Sequence, residues 1–354
     1  MAEAGAPDYR VEPARLPEQA ASIVALWSEA LGFAERRPLK LDWFYLRNPT
    51  GEPRLLLLML DARVVGVTGL GGRRLVWRGR ELDGALMGDF AVDSHHRTLY
   101  PALVLQRAAL EQGLARHELL YGFPNARSLP VVRRAGYQVL PGMGRYARAL
   151  RSEAYLPGAW PGTLRRGLGA ALDAGLSLRH AAALWHHGRR LREQWLDEAD
   201  ERFDDLWARA SLALGDCVLG RRDGPFLRWR FEARAWHRTR FLVLVDPATR
   251  RLAGYAACET EGGAMHVRDL LVQQASAPLV AHVLRLAARQ ARAQGLRSLS
   301  MQCGGPPWLR AGLRAAGLRL REAGAQPMIL AQPPDTPTPL AQACWYLTGA
   351  DSDE

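Results

Sequence analysis

Lysine is almost absent from this sequence: of 47 basic residues in a chain of 354, only Lys40 is not an arginine. Cysteine is sparse, and Cys217, Cys258, Cys303 and Cys344 lie far apart in the second half without a C-x-x-C pair. That spacing excludes a dense disulfide framework or a zinc ribbon, and it predicts reduced core thiols in a cytoplasmic protein. Long apolar runs are missing too. The densest, 55–60, is bounded by Arg54 and Asp61 and has the length of a strand, so no membrane-spanning helix is expected. The opening MAEAGAPDYRVEP has no apolar stretch of the kind a secretory signal needs. Neither the pair His95/His96 nor the pair His186/His187 has partners at metal-ligand spacing, so no metal is expected.

What is present describes a globular chain. Apolar residues make up 48% and charged ones 23%, and the length accommodates two domains with a core each. The net charge of +11, carried by arginine, draws phosphate-bearing ligands, nucleic acid or anionic polymers to the surface without choosing among them.

The stretch 88–137 is the most informative. It reads as a strand (85–92), a polar loop (93–100), a helix (101–116), a second strand (118–123) and a short helix. Leu99, Leu103, Leu110 and Leu114 fall on one helical face, and Pro101 suits a first turn that has no use for its missing N–H. Such a loop and helix start form an anion seat, because the first amides have no internal partner, the helix dipole is positive there, and Arg97 stands just before it. A pyrophosphate would fit.

Upstream, a strand at 9–11, a helix over 16–32 with Ile23, Leu26, Trp27 and Leu31 inward, and a helical piece at 40–46 precede three antiparallel strands at 54–60, 64–70 and 73–80. Asp61-Ala62 and Gly71-Gly72 are the expected hairpin turns. This first domain spans 1–150. An Arg-rich helical linker is expected over 151–200; a basic amphipathic helix lying on a membrane or a nucleic acid is the alternative to a solvated inter-domain helix. The rest, 201–350, repeats the first domain. Leu26-Trp27 returns as Leu206-Trp207, Trp43-Phe44-Tyr45 as Trp229-Arg230-Phe231, Gly66 as Gly254, Asp89 as Asp269, Pro101 as Pro278 and Gly136 as Gly317. Between its aspartate and its proline the second copy is three residues shorter and has no arginine, so it is expected to lack the phosphate seat. The tail Cys344-Trp345-Tyr346-Leu347-Thr348 reads as a last strand with a frayed acidic end.

Val92, Arg97 and Ala102 fit the pattern V-x-x-x-x-[RQ]-x-x-G-x-[GA], with Tyr100 in place of the first glycine, and Asn125 with Gly136-Tyr137 fits N-x(10)-G-[FY]. In these residues the chain resembles the GNAT acyltransferase family, and its duplication resembles the tandem-GNAT arrangement. The resemblance implies an α/β (α+β) fold of two mostly antiparallel sheets flanked by helices. It implies acetyl-CoA or another acyl-CoA as co-substrate, held by Val92, Arg97, Thr98, Leu99, Tyr100, Pro101 and Ala102 with Asn125 and Ser128 on the pantetheine arm. An acidic residue on that strand often serves the family as base, which points to Asp89, and a structural carboxylate is the equal alternative. Many members place a tyrosine seven residues after the asparagine; Val132 stands there, which leaves Tyr137 or Tyr121 as substitute acids. The implied activity is N-acylation of a small amine or amino sugar, with bacterial surface polysaccharide as one setting and no nucleic acid required. Two alternatives stay open: an aminoacyl-tRNA-dependent transferase of the peptidoglycan cross-bridge type, and a non-catalytic acyl-CoA-binding protein.

Overall fold

A computed structural model of the protein describes residues 8–51, 54–151, 163, 191–336 and 339–353. The first half runs β1 (Tyr9–Pro13), α1 (Ala20–Leu31), α2 (Arg37–Lys40) continuing into a π-helical turn (Leu41–Leu46), β2 (Arg54–Leu60), β3 (Arg63–Trp77), β4 (Arg80–Val92), α3 (Leu99–Leu114), β5 (Leu119–Gly122), α4 (Leu129–Ala135) and β6 (Gln138–Ala149). The second half runs β7 (Arg192–Leu196), α5 (Arg202–Ala213), β8 (Cys217–Gly220), α6 (Gly224–Leu227) with a π-helical turn (Arg228–Glu232), β9 (Thr239–Val245), β10 (Leu252–Glu261), β11 (Ala264–Val272), α7 (Ala277–Ala293), β12 (Ser298–Gly304), α8 (Pro307–Ala315), β13 (Arg319–Ala331) and β14 (Cys344–Thr348). Apart from β8 and β14, the two lists are the same list twice. Of the expected linker, 192–196 is strand β7, while 152–190 except Thr163, with His186 and His187, lies outside the described residues.

The halves share one sheet in the order β1-β2-β3-β4-β5-β13-β6-β12-β11-β10-β9-β7. Each half therefore lends a strand to the other: β13 pairs with β5, and β6 pairs with β12. The repeated tryptophans lie between the halves. Trp43 and Trp229 stack with ring centroids 5.5 Å apart, and each indole N–H donates to the other's carbonyl, at 2.6 and 2.8 Å. A reciprocal contact of this kind is what a two-fold relation between copies produces.

The Leu run of β2 is buried on both faces, with Leu56 and Leu58 against α3 and Leu55 and Leu57 against the α1 side. The expected turn at Gly71-Gly72 does not exist. Strand β3 runs straight through it, and the hairpin turns at Arg78-Gly79, both with positive φ. Those glycines serve close packing instead: a Cβ at Gly69 would overlap the Tyr45 hydroxyl and one at Gly71 would press on the Phe44 ring. Gly262-Gly263, both with positive φ, form the hairpin turn between β10 and β11. The acidic end is not frayed either, because Asp351 and Ser352 are buried and charge partners hold the segment down.

Candidate active site

Strands β4 and β5 pair in parallel from Gly84 with Leu119 as far as Met87 with Gly122, and then separate. On β4 the ladder breaks at a bulge where Asp89 takes a left-handed φ of 51°. On β5 the chain leaves through Phe123 and Pro124, which has no N–H to continue a ladder. A cavity of about 660 Å³ opens at this split and passes through the sheet. Its α3 side is lined by Thr68, Gln106, Val132 and Ile329; its opposite side is lined by Arg37 and Lys40 and, from the second half, by Arg234, Trp236 and His237.

Asp89 sits at the centre, with its side chain 2% exposed. Lys40 Nζ donates to its Oδ1 at 2.8 Å, the Tyr45 hydroxyl donates to its Oδ2 at 2.8 Å, and an Arg37 guanidinium nitrogen stands 3.7 Å away. The Trp27 indole donates to its backbone carbonyl at 2.9 Å, which fixes the bulge. Lys40 also donates to Asp353 at 3.1 Å, so one ammonium holds two carboxylates. Burial raises the Asp89 carboxyl above the ordinary value despite the pull of Lys40, and the two carboxylates outweigh burial in holding the Lys40 ammonium protonated. Asp353 is the more open end of the cluster, with its side chain 21% exposed, and Lys40 keeps it below the usual carboxylate range although burial opposes this. Gly88 makes the room, since a Cβ there would come within 2.7 Å of Asp353 Oδ2.

At the other end, Arg97 donates from Nε and Nη2 to the Val92 carbonyl at 3.3 and 3.1 Å and so closes the loop between β4 and α3. Asp93 accepts from the backbone N–H of His95, which with the ring beside it holds the carboxyl low. His95 is exposed, and His96 is tied to the Tyr9 hydroxyl at 2.9 Å. Thr98 precedes the helix in an extended conformation and makes no side-chain cap, and Leu99 and Tyr100 lie on the surface at 43% and 58% exposure, so the first turn of α3 faces out. Pro101 and Ala102 are its buried side. Asn125 and Ser128 both line the cavity, with the Asn125 side-chain oxygen accepting from the backbone N–H groups of Arg127 and Ser128 and from the Ser128 hydroxyl. Asp89, Asn125 and Ser128 are thus brought to one cavity.

Tyr137 is not. Its hydroxyl is buried in the cluster of Leu105, Ala109 and Val132, accepts and donates no hydrogen bond among the described residues, and is pushed far up by burial. A phenol in that position neither reaches the cavity nor yields a proton easily. Tyr121 is also fully buried and is engaged by Arg73. Val132 does line the cavity, so the wall is apolar at the position seven residues after Asn125.

The second half has the same split, and it is filled. β11 and β12 pair from Ala264 with Ser298 to Val267 with Met301, after which β14 takes up pairing with β12 at Cys303 and Gly304. Thr348 of that strand donates to Asp269 at 2.6 Å, Tyr255 donates to Asp269 at 2.5 Å, and Arg222 clasps it at 3.0 and 3.2 Å. Asp269 is a fully buried structural carboxylate.

Neither a protein-family model nor a curated protein matches the sequence. Solved structures do resemble its fold. A GCN5-related N-acetyltransferase of Anabaena variabilis superposes with a TM-score of 0.62 at 13% identity over 91% of this chain and 72% of that one. A tandem GNAT protein from the clavulanic acid biosynthesis pathway has a TM-score of 0.54 at 15% identity over 93% of this chain and 100% of that one. Saccharomyces cerevisiae N-myristoyltransferase, solved with myristoyl-CoA bound, has a TM-score of 0.54 at 10% identity over 96% and 87%. The fold is that of the tandem GNAT proteins.

Within the GNAT fold, sequence reasoning missed Lys40, Tyr45 and Asp353. Lys40 carried a visible signal, as the single lysine in a chain that otherwise uses arginine. Asp353 carried none, because it reaches the site from 313 residues beyond Lys40. Among the described residues no group of His, Cys, Asp and Glu could hold a metal ion. No described helix is long and apolar enough to cross a membrane.

Proposed function

We propose that the protein is an acyl-CoA-dependent N-acyltransferase whose single working site is the split between β4 and β5. The observation that supports this most is the difference between the two halves. The first split opens into a cavity with a buried carboxylate of raised pKa in its lining, whereas β14 lies in the second. Arg97, the loop 93–98 and the open turn of α3 suit the phosphates, and Asn125 and Ser128 suit the pantetheine arm.

The acceptor amine enters from the side of Arg37 and Trp236, where both halves contribute to the wall. An ammonium must lose a proton before it can attack a thioester carbonyl. Asp89, destabilised as an anion by burial, is the base of the cluster, and Asp353, the more exposed of the two, is its outer partner. Lys40 and Tyr45 hold Asp89 in one orientation. No described side chain on the apolar wall at Val132 is assigned to protonate the leaving thiolate, which is a stable enough anion to depart alone. The acceptor is read as a small amine or amino sugar.

Titration calorimetry with acetyl-CoA tests the donor half of this reading, with binding in the wild type and about tenfold weaker binding in Arg97→Ala, as loss of a charge-assisted contact implies. Thiol release across a panel of amines and amino sugars tests the rest. A wild-type protein that binds no acyl-CoA refutes the proposal.

A further inference from the structure

Gln106 is a polar side chain in a place where packing asks for an apolar one. It lies on α3 among Leu105 and Ala109, which are fully buried, and is itself 0% exposed. Its amide nitrogen donates to the Thr68 hydroxyl on β3 at 3.2 Å, and its Oε1, equally buried, takes part in no hydrogen bond among the described residues. Turning the amide over would exchange which atom faces Thr68 and would still leave one polar atom over. Buried amides are ordinarily paired at both ends, and an unmet end is destabilising. A leucine or methionine would pack α3 against β3 at least as well.

The leftover atom belongs to the cavity. Gln106 and Thr68 both line it, and with Val132 and Ile329 they form its α3 side. Thr68 lies opposite the bulge at Asp89, between Val67 and Gly69 in the ladder. Side chains alternate along β3: an added Cβ at Gly66 would meet Leu105 of α3 and one at Gly69 would meet Tyr45, so Thr68 and Asp89 address opposite faces of the sheet. The polar pair is therefore on the donor side of the split and the carboxylate on the acceptor side.

Resting on the acyltransferase reading above, we propose that Gln106, oriented by Thr68, is a donor-binding residue that hydrogen-bonds the acyl-CoA close to its thioester. The chemistry it recognises is an amide or hydroxyl group carried through an otherwise apolar passage. Two parts of the donor can supply that group: the amides of the pantetheine arm, or a polar substituent on the acyl chain. In the first case Gln106 adds affinity for every acyl-CoA; in the second it favours acyl chains that carry a hydroxyl or amide.

Calorimetry on the full chain separates these sources and needs no acceptor. The titrants are acetyl-CoA, butyryl-CoA, 3-hydroxybutyryl-CoA and adenosine 3′,5′-bisphosphate, which lacks the arm, applied to the wild type and to Gln106→Leu. Loss of one neutral hydrogen bond weakens binding roughly three- to tenfold. A loss of that size for all three thioesters, with adenosine 3′,5′-bisphosphate unchanged, assigns the contact to the arm; a loss confined to 3-hydroxybutyryl-CoA assigns it to the acyl chain. The melting temperature of the ligand-free variant should equal or exceed that of the wild type, because an unmet polar group has been removed. Equal binding of all titrants by wild type and variant overturns the inference, as does an equal loss for the bisphosphate. Gln106→Met replaces Gln106→Leu if the latter does not fold, and failure of both to fold overturns it too. A wild type that binds acetyl-CoA while the variant is unaffected sinks this inference alone; a wild type that binds no thioester sinks the acyltransferase reading first.

Discussion

Replacing Lys40 by methionine keeps the side chain as far as Cε and removes the charge that joins Asp89 to Asp353. The ammonium lies 2.8 Å from one carboxylate and 3.1 Å from the other, with side-chain exposures of 10%, 2% and 21% for lysine, Asp89 and Asp353. Removing one partner of a buried ion pair leaves an uncompensated charge and typically costs about 3–5 kcal/mol. Arg37 at 3.7 Å from Asp89 offsets part of this, so the lower end, about 3 kcal/mol, is expected, a drop in Tm of roughly 4 °C for a chain of this size. The pH dependence gives the sharper test. Asp89 is already raised by burial, and loss of Lys40 raises it further. A carboxyl whose folded pKa exceeds its unfolded pKa destabilises the fold at pH values above the folded pKa, and the penalty fades as pH falls towards the unfolded value near 4. Lys40→Met should therefore lie furthest below the wild type at pH 7–8 and approach it near pH 5. Adding Asp353→Asn should recover part of the loss at neutral pH. Thermal unfolding of the three proteins across that range decides it, and a Lys40→Met curve parallel to the wild type at every pH would show that the cluster is not coupled as described.

Asp89→Asn, which keeps the shape and removes the base, should leave acetyl-CoA affinity within about twofold and lower turnover at least a hundredfold in a thiol-release assay, the scale of a lost general base. Gly69→Ala drives a methyl into the Tyr45 hydroxyl, and overpacking of this kind should cost about 1–3 kcal/mol in chemical denaturation. Cys217 and Cys344 face each other across the parallel pair of β8 and β14 with their sulfurs 2.7 Å apart, both as free thiols. Treatment with oxidised glutathione should join them, with release of two molecules of glutathione per bridge, seen as loss of two thiols in a titration of the native protein and absent in Cys344→Ser. Trp229→Ala should lower stability by about 3–5 kcal/mol, because it removes a stacked indole and leaves the Trp43 carbonyl without its donor.

The parts of this molecule that were legible in the sequence are those built from neighbours along the chain. The loop and helix start at 93–102 could be read from a strand, a break and a proline, and the duplication from Trp43 and Trp229, which recur because each copy supplies one half of the same contact. The strand exchange could not be read. Periodicity marks 138–149 and 319–331 as strands and is silent on which strand each will join. Gly71-Gly72 misled for a related reason, since glycine marks a turn and equally a place where another side chain must come close, and only the Phe44 ring decides between them. Tyr137 closes the N-x(10)-G-[FY] motif, but the chain leaving α4 turns its ring into the core with Leu105 and Ala109, and the motif does not show that.

The unequal fate of the two halves follows from a single segment. Residues 344–348 form β14 and fill the split between β11 and β12, where Thr348 joins Asp269. The next turn, Gly349–Asp351, places Asp351 between Arg73 of the first half and Arg222 of the second, at 3.1 and 2.5 Å. Two residues later Asp353 is on Lys40, beside Asp89. The segment that closes one split thus supplies a carboxylate to the other. It cannot leave the second half without withdrawing Asp353 from the first, nor be cut back at its end without leaving Lys40 a single carboxylate. The blocked second split is in this sense a part of the first site, and the two halves depend on each other beyond the strands they exchange.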